Sequence, residues 1–169
     1  HCIFPTVGGI ETVHGTGLAS EEYLIFAENI FGSTSGYNDI VDFTGGQRPG
    51  PIIQFYNNTF LGGGDDGPDL DATDAHVEGN LFTNFHQTTP DQDSPSYAVA
   101  TGDRSQVCIV RNVFVNNDHA ILHKEDVYSW TQNNTIVNCA IAAVSFGEPF
   151  RSTPRDPGKG TYLDSNIFW

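Results

Sequence analysis

Val77-Glu78-Gly79-Asn80-Leu81-Phe82 is one copy of a unit, apolar-x-x-Asn-x-Phe, that recurs along the 169-residue chain. Further copies run Phe26–Phe31, Phe55–Phe60 and Ile109–Phe114. Thr131–Ile136 is a weaker copy, Leu163–Phe168 closes the chain, and Cys2-Ile3-Phe4 reads as the tail of one more. The shared asparagines are Asn29, Asn58, Asn80, Asn112, Asn134 and Asn166, separated by 29, 22, 32, 22 and 32 residues. A fixed minimum period with insertions describes stacked coils that share a core and differ in their loops.

Outward from each asparagine the chemistry is that of strands. Five and three residues before it lie Leu24 and Phe26, Ile53 and Phe55, Ala75 and Val77, Val107 and Ile109. Two residues after it lie Phe31, Phe60, Phe82, Phe114, Ile136 and Phe168. This is period-two alternation broken by one bend. Asparagine tolerates the left-handed backbone of a sharp bend, so the bend is expected at the asparagine itself. Stacking would then bond the amides into a ladder and pile the phenylalanines inside. A third strand-like segment follows after a variable loop: Asp39–Phe43, Pro68–Ala72, Val99–Thr101, His119–His123 and Ala142–Ser145.

The expected fold is all-β. It is a right-handed parallel β-helix of about seven coils with three short strands per coil, an Asn ladder and a Phe stack. Residues 1–169 form a single domain. The chain starts at His1 and contains no methionine, so it reads as a mature chain or as a fragment of a longer β-helix. Both ends look cut through a coil, which exposes strand edges and aromatics. End-to-end assembly into a homo-oligomer, or attachment to further coils, is expected.

Composition narrows the partners. The net charge is −14, with seven Lys and Arg against 21 Asp and Glu. Nucleic acid is excluded as a partner, because phosphate contacts need Lys and Arg. No run approaches the roughly 18 apolar residues of a transmembrane helix, so no membrane partner is expected. The residues at the start of the sequence are not expected to act as a secretory leader. Cys2, Cys108 and Cys139 are odd in number and widely spaced, which argues against a disulfide framework or a zinc site.

The acidic residues cluster. Asp65, Asp66, Asp69, Asp71 and Asp74 follow the turn Gly62-Gly63-Gly64. If Val41, Leu70, Ala100, Leu122 and Val144 point inward on the third strand, then Asp42, Asp71, Thr101, His123 and Ser145 form an outward ladder. Adjacent coils lie about 4.8 Å apart, so Asp42 and Asp71 would be neighbours, with Asp69 beside them and Asp65 and Asp66 on the loop leading in. Carboxylates that close repel unless a cation or proton intervenes. Several carboxylate oxygens on irregular backbone are what a hard cation such as Ca2+ requires. Asp42, Asp65, Asp66, Asp69 and Asp71 are therefore the candidate metal ligands.

The repeat resembles the pectate-lyase-like superfamily of right-handed parallel β-helices, over nearly the whole chain. Asp65-Asp66-Gly67-Pro68-Asp69 resembles the Asp-Asp-Gly-x-Asp calcium motif of family nine polysaccharide lyases. That resemblance implies a further aspartate from the preceding coil, which Asp42 could supply, and a lysine base on a later coil. The strand that follows, Val99-Ala100-Thr101, carries no lysine. Lys124 and His123, one coil further, are the candidate bases, with Arg104 to hold the substrate chain. The resemblance implies a polysaccharide partner, a uronate polymer, and a secreted or cell-surface location. Two readings stand: a calcium-dependent polysaccharide lyase, and a non-catalytic extracellular binding or structural β-helix scaffold.

Other residues are lesser candidates. His76 is expected to point outward, and His119 and His123, four apart, to share a face. Trp130 and Tyr162, outward on the second strand, could form a sugar-stacking platform but are expected to pack under the loop Pro149–Gly160. The sequons at Asn57 and Asn133 read as turn asparagines.

Overall fold

The computed structural model describes residues 1–19, 22–49, 52–89 and 93–169. The chain winds into a right-handed parallel β-helix; among the described residues it has three sheets, and every pairing between neighbouring coils in them is parallel. Sheet A holds seven strands: Ile3–Phe4, Ile30–Phe31, Thr59–Phe60, Leu81–Thr83, Val113–Val115, Thr135–Val137 and Ile167–Phe168. Sheet B holds six: Val13–Gly15, Val41–Thr44, Pro68–Asp71, Tyr97–Gly102, His119–His123 and Ala142–Phe146. Sheet C holds six: Leu24–Ala27, Ile53–Tyr56, Ala75–Glu78, Gln106–Val110, Tyr128–Gln132 and Gly160–Asp164. No helix among the described residues is long and apolar enough to cross a membrane.

The asparagine ladder joins sheet C to sheet A. In each step the amide oxygen of one asparagine accepts from both the backbone N–H and the Nδ2 of the asparagine in the preceding coil. Asn58 donates in this way to Asn80 Oδ1 at 2.8 and 2.9 Å, and Asn80 to Asn112 Oδ1 at 2.9 and 3.0 Å. The same Nδ2 also reaches a main-chain carbonyl, as from Asn80 to Phe55 O at 3.0 Å. A buried side chain with every polar atom bonded is the stable way to turn a corner inside a core.

One expectation is corrected at this corner. The left-handed residue is the one before each asparagine: Glu28, Asn57, Gly79, Arg111, Asn133 and Ser165 all have positive φ. The asparagine itself keeps an ordinary φ because its side chain must point inward to bond along the axis. Asn57 and Asn133, the sequon asparagines, are turn residues of this kind.

Phe4, Phe31, Phe60, Phe82 and Phe114 stack below sheet A, with ring centroids 4.6, 4.6, 4.7 and 5.0 Å apart and nearly parallel planes. The ring spacing copies the strand spacing of about 4.8 Å, so one residue type at one register position fills this wall of the core. Cys2, Cys108 and Cys139 are free thiols; Cys2 is exposed and the other two are half-buried.

Sheet B departs from the expected register. One column reads His14–Asp42–Asp69–Ala100–Leu122–Ser145 and faces outward. The next reads Gly15–Phe43–Leu70–Thr101–His123–Phe146, and from Phe43 to His123 its side chains are buried. Asp42 therefore sits beside Asp69, while Asp71 lies one step along beside Gly102. Thr101 and His123 point into the helix, and Ala100 and Leu122 point out, where they pack with Tyr97 in a second small apolar cluster. The reason is burial on both faces. Tyr97–Gly102 and His119–His123 are buried throughout, so period two has no solvent side to mark.

Candidate functional site

The site lies on the outer face of sheet B, where the acidic coils meet the buried ones. Gly62, with φ of +127°, begins the turn that carries Asp65 and Asp66 into the sheet. Asp66 N–H donates to Asp39 Oδ1 at 2.9 Å, and Tyr97 N–H donates to Asp66 Oδ1 at 2.8 Å. Each aspartate caps the strand start in the coil after it. This places Asp39 and Asp66 one above the other, and Asp42 and Asp69 one above the other three residues later.

Together these groups form a cavity of about 200 Å³ walled by Asp39, Asp42, Asp65, Asp66 and Asp69, with Lys124 and Arg151 on its edge. One carboxylate oxygen from each of Asp39, Asp42 and Asp69 lies within 4.8 Å of the others, and the same holds for Asp39, Asp65 and Asp66. Asp39 is common to both groups. A third group, Glu11, His14 and Asp42, continues the ridge, with His14 Nδ1 2.6 Å from Glu11 and 3.1 Å from Asp42.

Burial and mutual repulsion raise these carboxyls out of their ordinary range. Asp39 is pushed up to about 9 by burial and then by Asp69 and Asp65. Asp65 is pushed up to about 8 by burial and by Asp69. Asp69 rises to about 7, mainly by burial, with Lys124 opposing. Asp66 is also raised, by burial and by Asp65 and Asp39. Carboxyls this close bind protons tightly, and a divalent cation can take the place of those protons.

Asp69 Oδ1 and Asp71 Oδ1 are buried and accept no hydrogen bond from the described residues. Lys124 is their counter-ion, with Nζ 3.3 Å from Asp71 Oδ1 and 3.9 Å from Asp69 Oδ1. Lys124 is 4% exposed. Burial alone would lower its pKa, but Asp69, Asp71, Asp66 and Glu148 outweigh that and raise it.

Among the expected ligands, Asp42, Asp65, Asp66 and Asp69 come together, and Asp71 stands apart with Lys124. Among the expected catalytic groups, only Lys124 reaches the acidic cavity. His123 does not face outward: it is fully buried, with Thr101 Oγ1 3.0 Å from Nδ1 and Ser129 Oγ 3.0 Å from Nε2. Burial lowers its pKa to about 4, the pattern of a neutral core histidine satisfied by hydroxyls. His119 and His123 consequently do not share a face. Arg104 occupies an exposed left-handed turn and pairs with its neighbour Asp103 at 3.3 Å.

Asp39 was not among the expected ligands, although a sequence signal for it exists. Asp39-Ile40-Val41-Asp42 and Asp66-Gly67-Pro68-Asp69 are the same offset in successive coils. Arg151 had no such signal, because a long loop returns it to the site. Its guanidinium lies 2.9 Å from Glu148 and 3.1 Å from the Tyr37 hydroxyl. Trp130 and Tyr162 do not pack under that loop: they are register neighbours on sheet C and stay 45% and 53% exposed. The loop instead pairs with the sheet B side, Pro157 with Lys124 and Arg155 with Glu148. No family model, curated protein or solved structure matches the chain.

Proposed function

We propose that this protein is a calcium-dependent, carbohydrate-active β-helix that cleaves uronate polymers as a lyase, with Asp39, Asp42, Asp65, Asp66 and Asp69 as cation ligands and Lys124 as the base. The observation that carries the reading is the position of Asp69. It belongs to the carboxylate cluster and is also within 3.9 Å of Lys124 Nζ. A cation and an amine would therefore meet across one residue.

The donor set suits a hard cation. Calcium takes about six to eight oxygens at flexible geometry, and five carboxylates on one cavity wall can offer that many. When bound, calcium would neutralise a substrate carboxylate and so acidify the C–H next to it. Lys124 would remove that proton as general base. The C–H electron pair would form the new C=C bond as the C–O bond to the leaving sugar breaks, and that oxygen would leave with its pair and take a proton from water. Asp69 and Asp71 hold Lys124 as ammonium. Masking the charge of Asp69 removes part of that hold, while the burial that favours the neutral amine remains. With a cation held by Asp69, Lys124 would shift from counter-ion towards base. A polysaccharide substrate implies a secreted or cell-surface protein.

The test is absorbance of an unsaturated uronate product, measured with a panel of polyuronates in calcium and in chelator. Turnover that is lost in chelator and in Lys124→Ala supports the lyase. Calcium-dependent stability with no turnover on any polymer supports instead a calcium-bound scaffold or binding module.

A further inference from the structure

We infer that the polymer handled by this protein carries a neutral sugar unit directly beside the uronate, and that this unit occupies the apolar groove on sheet B; the inference rests on the lyase reading above. The groove, about 600 Å³, follows the acidic cavity towards the last coils, and Arg151 lines both. Its volume is within the roughly 300–1,000 Å³ of small-ligand sites. Its apolar walls on the outer face include Tyr97, Ile141 and Phe150.

Charge decides the occupant. Each of the seven lysines and arginines has a nitrogen within 4.0 Å of a carboxylate oxygen. At the groove the cation is Arg151, already engaged by Glu148 at 2.9 Å and by Asp93 at 3.7 Å. A second uronate carboxylate placed there would meet two acids and no free cation. The carboxylate-rich ridge that could hold a cation lies at the other end of the site, from Glu11 to Asp69. The outer face of sheet B is thus acidic at one end and apolar at the other. A polymer of alternating charge matches this face, and a homopolyuronate does not.

The groove also offers what a neutral sugar uses. Ser145 Oγ lies 2.8 Å from His119 Nδ1, and burial lowers the His119 pKa, so the pair presents uncharged donors and acceptors to ring hydroxyls. Phe150 is fully exposed, leaving an aromatic face free for the C–H side of a sugar ring.

The experiment is calorimetric titration of the calcium-loaded protein with three short oligosaccharides: an alternating uronate–neutral hexose, a homo-uronate, and the methyl ester of that homo-uronate. The alternating chain is expected to bind at least about tenfold more tightly than the other two. Phe150→Ala is expected to weaken it about 2- to 12-fold, the size of one aromatic contact. Since Phe150 touches solvent on all sides, this variant should keep its melting temperature and its calcium shift. Equal or tighter binding of the homo-uronate overturns the inference. Equal or tighter binding of the methyl ester overturns the neutral sugar as occupant, as does unchanged affinity in Phe150→Ala. Any of these outcomes with the calcium shift intact removes only this inference; loss of the calcium shift in the wild type removes the reading beneath it.

Discussion

Lys124 Nζ lies 3.3 Å from Asp71 Oδ1 although a whole coil separates their strands, because Gly102 stands between them. A Cβ at Gly102 would collide with Asp71 Oδ1 and come within 2.7 Å of Lys124 Cε. The missing side chain is the channel through which the lysine crosses to the acids. Gly102→Ala should therefore cost about 1–3 kcal/mol as an overpacked site. It should also swing the amine away from Asp69, lowering any lyase turnover. Denaturation and product absorbance on the same preparation check both. An alanine that leaves both unchanged would show that the lysine has another route.

Removing the charge of Lys124 tests the same contact from the other side. Lys124→Met keeps the stem and deletes the cation, leaving Asp69 and Asp71 with buried oxygens and no counter-charge. Breaking a buried pair from one side costs about 3–5 kcal/mol, and the partly exposed aspartates bring the expected loss to the lower end. Calcium should recover part of it, since a cation at Asp69 replaces the lost charge. A variant as stable as wild type in chelator would mean that the pair contributes nothing.

The asparagine ladder gives a prediction free of any functional reading. Asn80→Ala leaves Asn58 N–H without its acceptor and opens the step to Asn112. A buried unsatisfied donor costs about 1–3 kcal/mol, and the lost network adds to it. For a chain of this length each 1 kcal/mol moves the melting temperature by about 2–4 °C, so a fall of about 5–10 °C is expected. A fall below about 2 °C would mean that water replaces the amide.

This ladder was the most legible part of the sequence, for a physical reason. A side chain that bonds to its own copy in the next coil must recur at every coil, so Asn29 to Asn166 announced the stacking. The corner geometry was less legible, because the strain falls on the residue before, where Glu28, Gly79 and Arg111 have nothing in common as types. Sheet B was misread where loops cover it: Leu122 outside and His123 inside invert the usual sense, and only contacts distant in sequence decide it. Within the site, Asp65, Asp66 and Asp69 were visible as a local run. Arg151 was not, since it arrives from a loop more than a hundred residues after Tyr37, which it touches.

Asp69→Asn separates cation binding from general acidity. Calcium should raise the melting temperature of the wild type, and the variant should lose most of that rise, because an amide oxygen in a shared position supplies no charge. In chelator the variant should be at least as stable as wild type at neutral pH, since it removes one of several repelling groups, although it also weakens the partner of Lys124. An equal calcium shift in both proteins would exclude Asp69 as a ligand.

The raised carboxyls fix the direction of the pH dependence. Asp39, Asp65 and Asp69 are pushed up to about 9, 8 and 7 by burial and by one another. In the unfolded chain they would titrate near 4. Between these limits the folded state holds more protons than the unfolded state, so stability falls as pH rises. The contribution is complete below about pH 4 and is lost progressively up to about pH 9. Lys124, raised above its ordinary value, stays charged in both states across this window and adds no slope. Buried His123, lowered to about 4, opposes this slope up to its unfolded value near 6.5, so the metal-free protein should melt at lower temperature at pH 8 than at pH 6.5. Calcium competes with the protons, so its stabilising effect should grow over the same interval and flatten the curve. Melting profiles at four or five pH values, in chelator and in calcium, test this. A metal-free melting temperature that rises from pH 6.5 to pH 8 would mean that the aspartates are solvated and ionise as ordinary carboxylates.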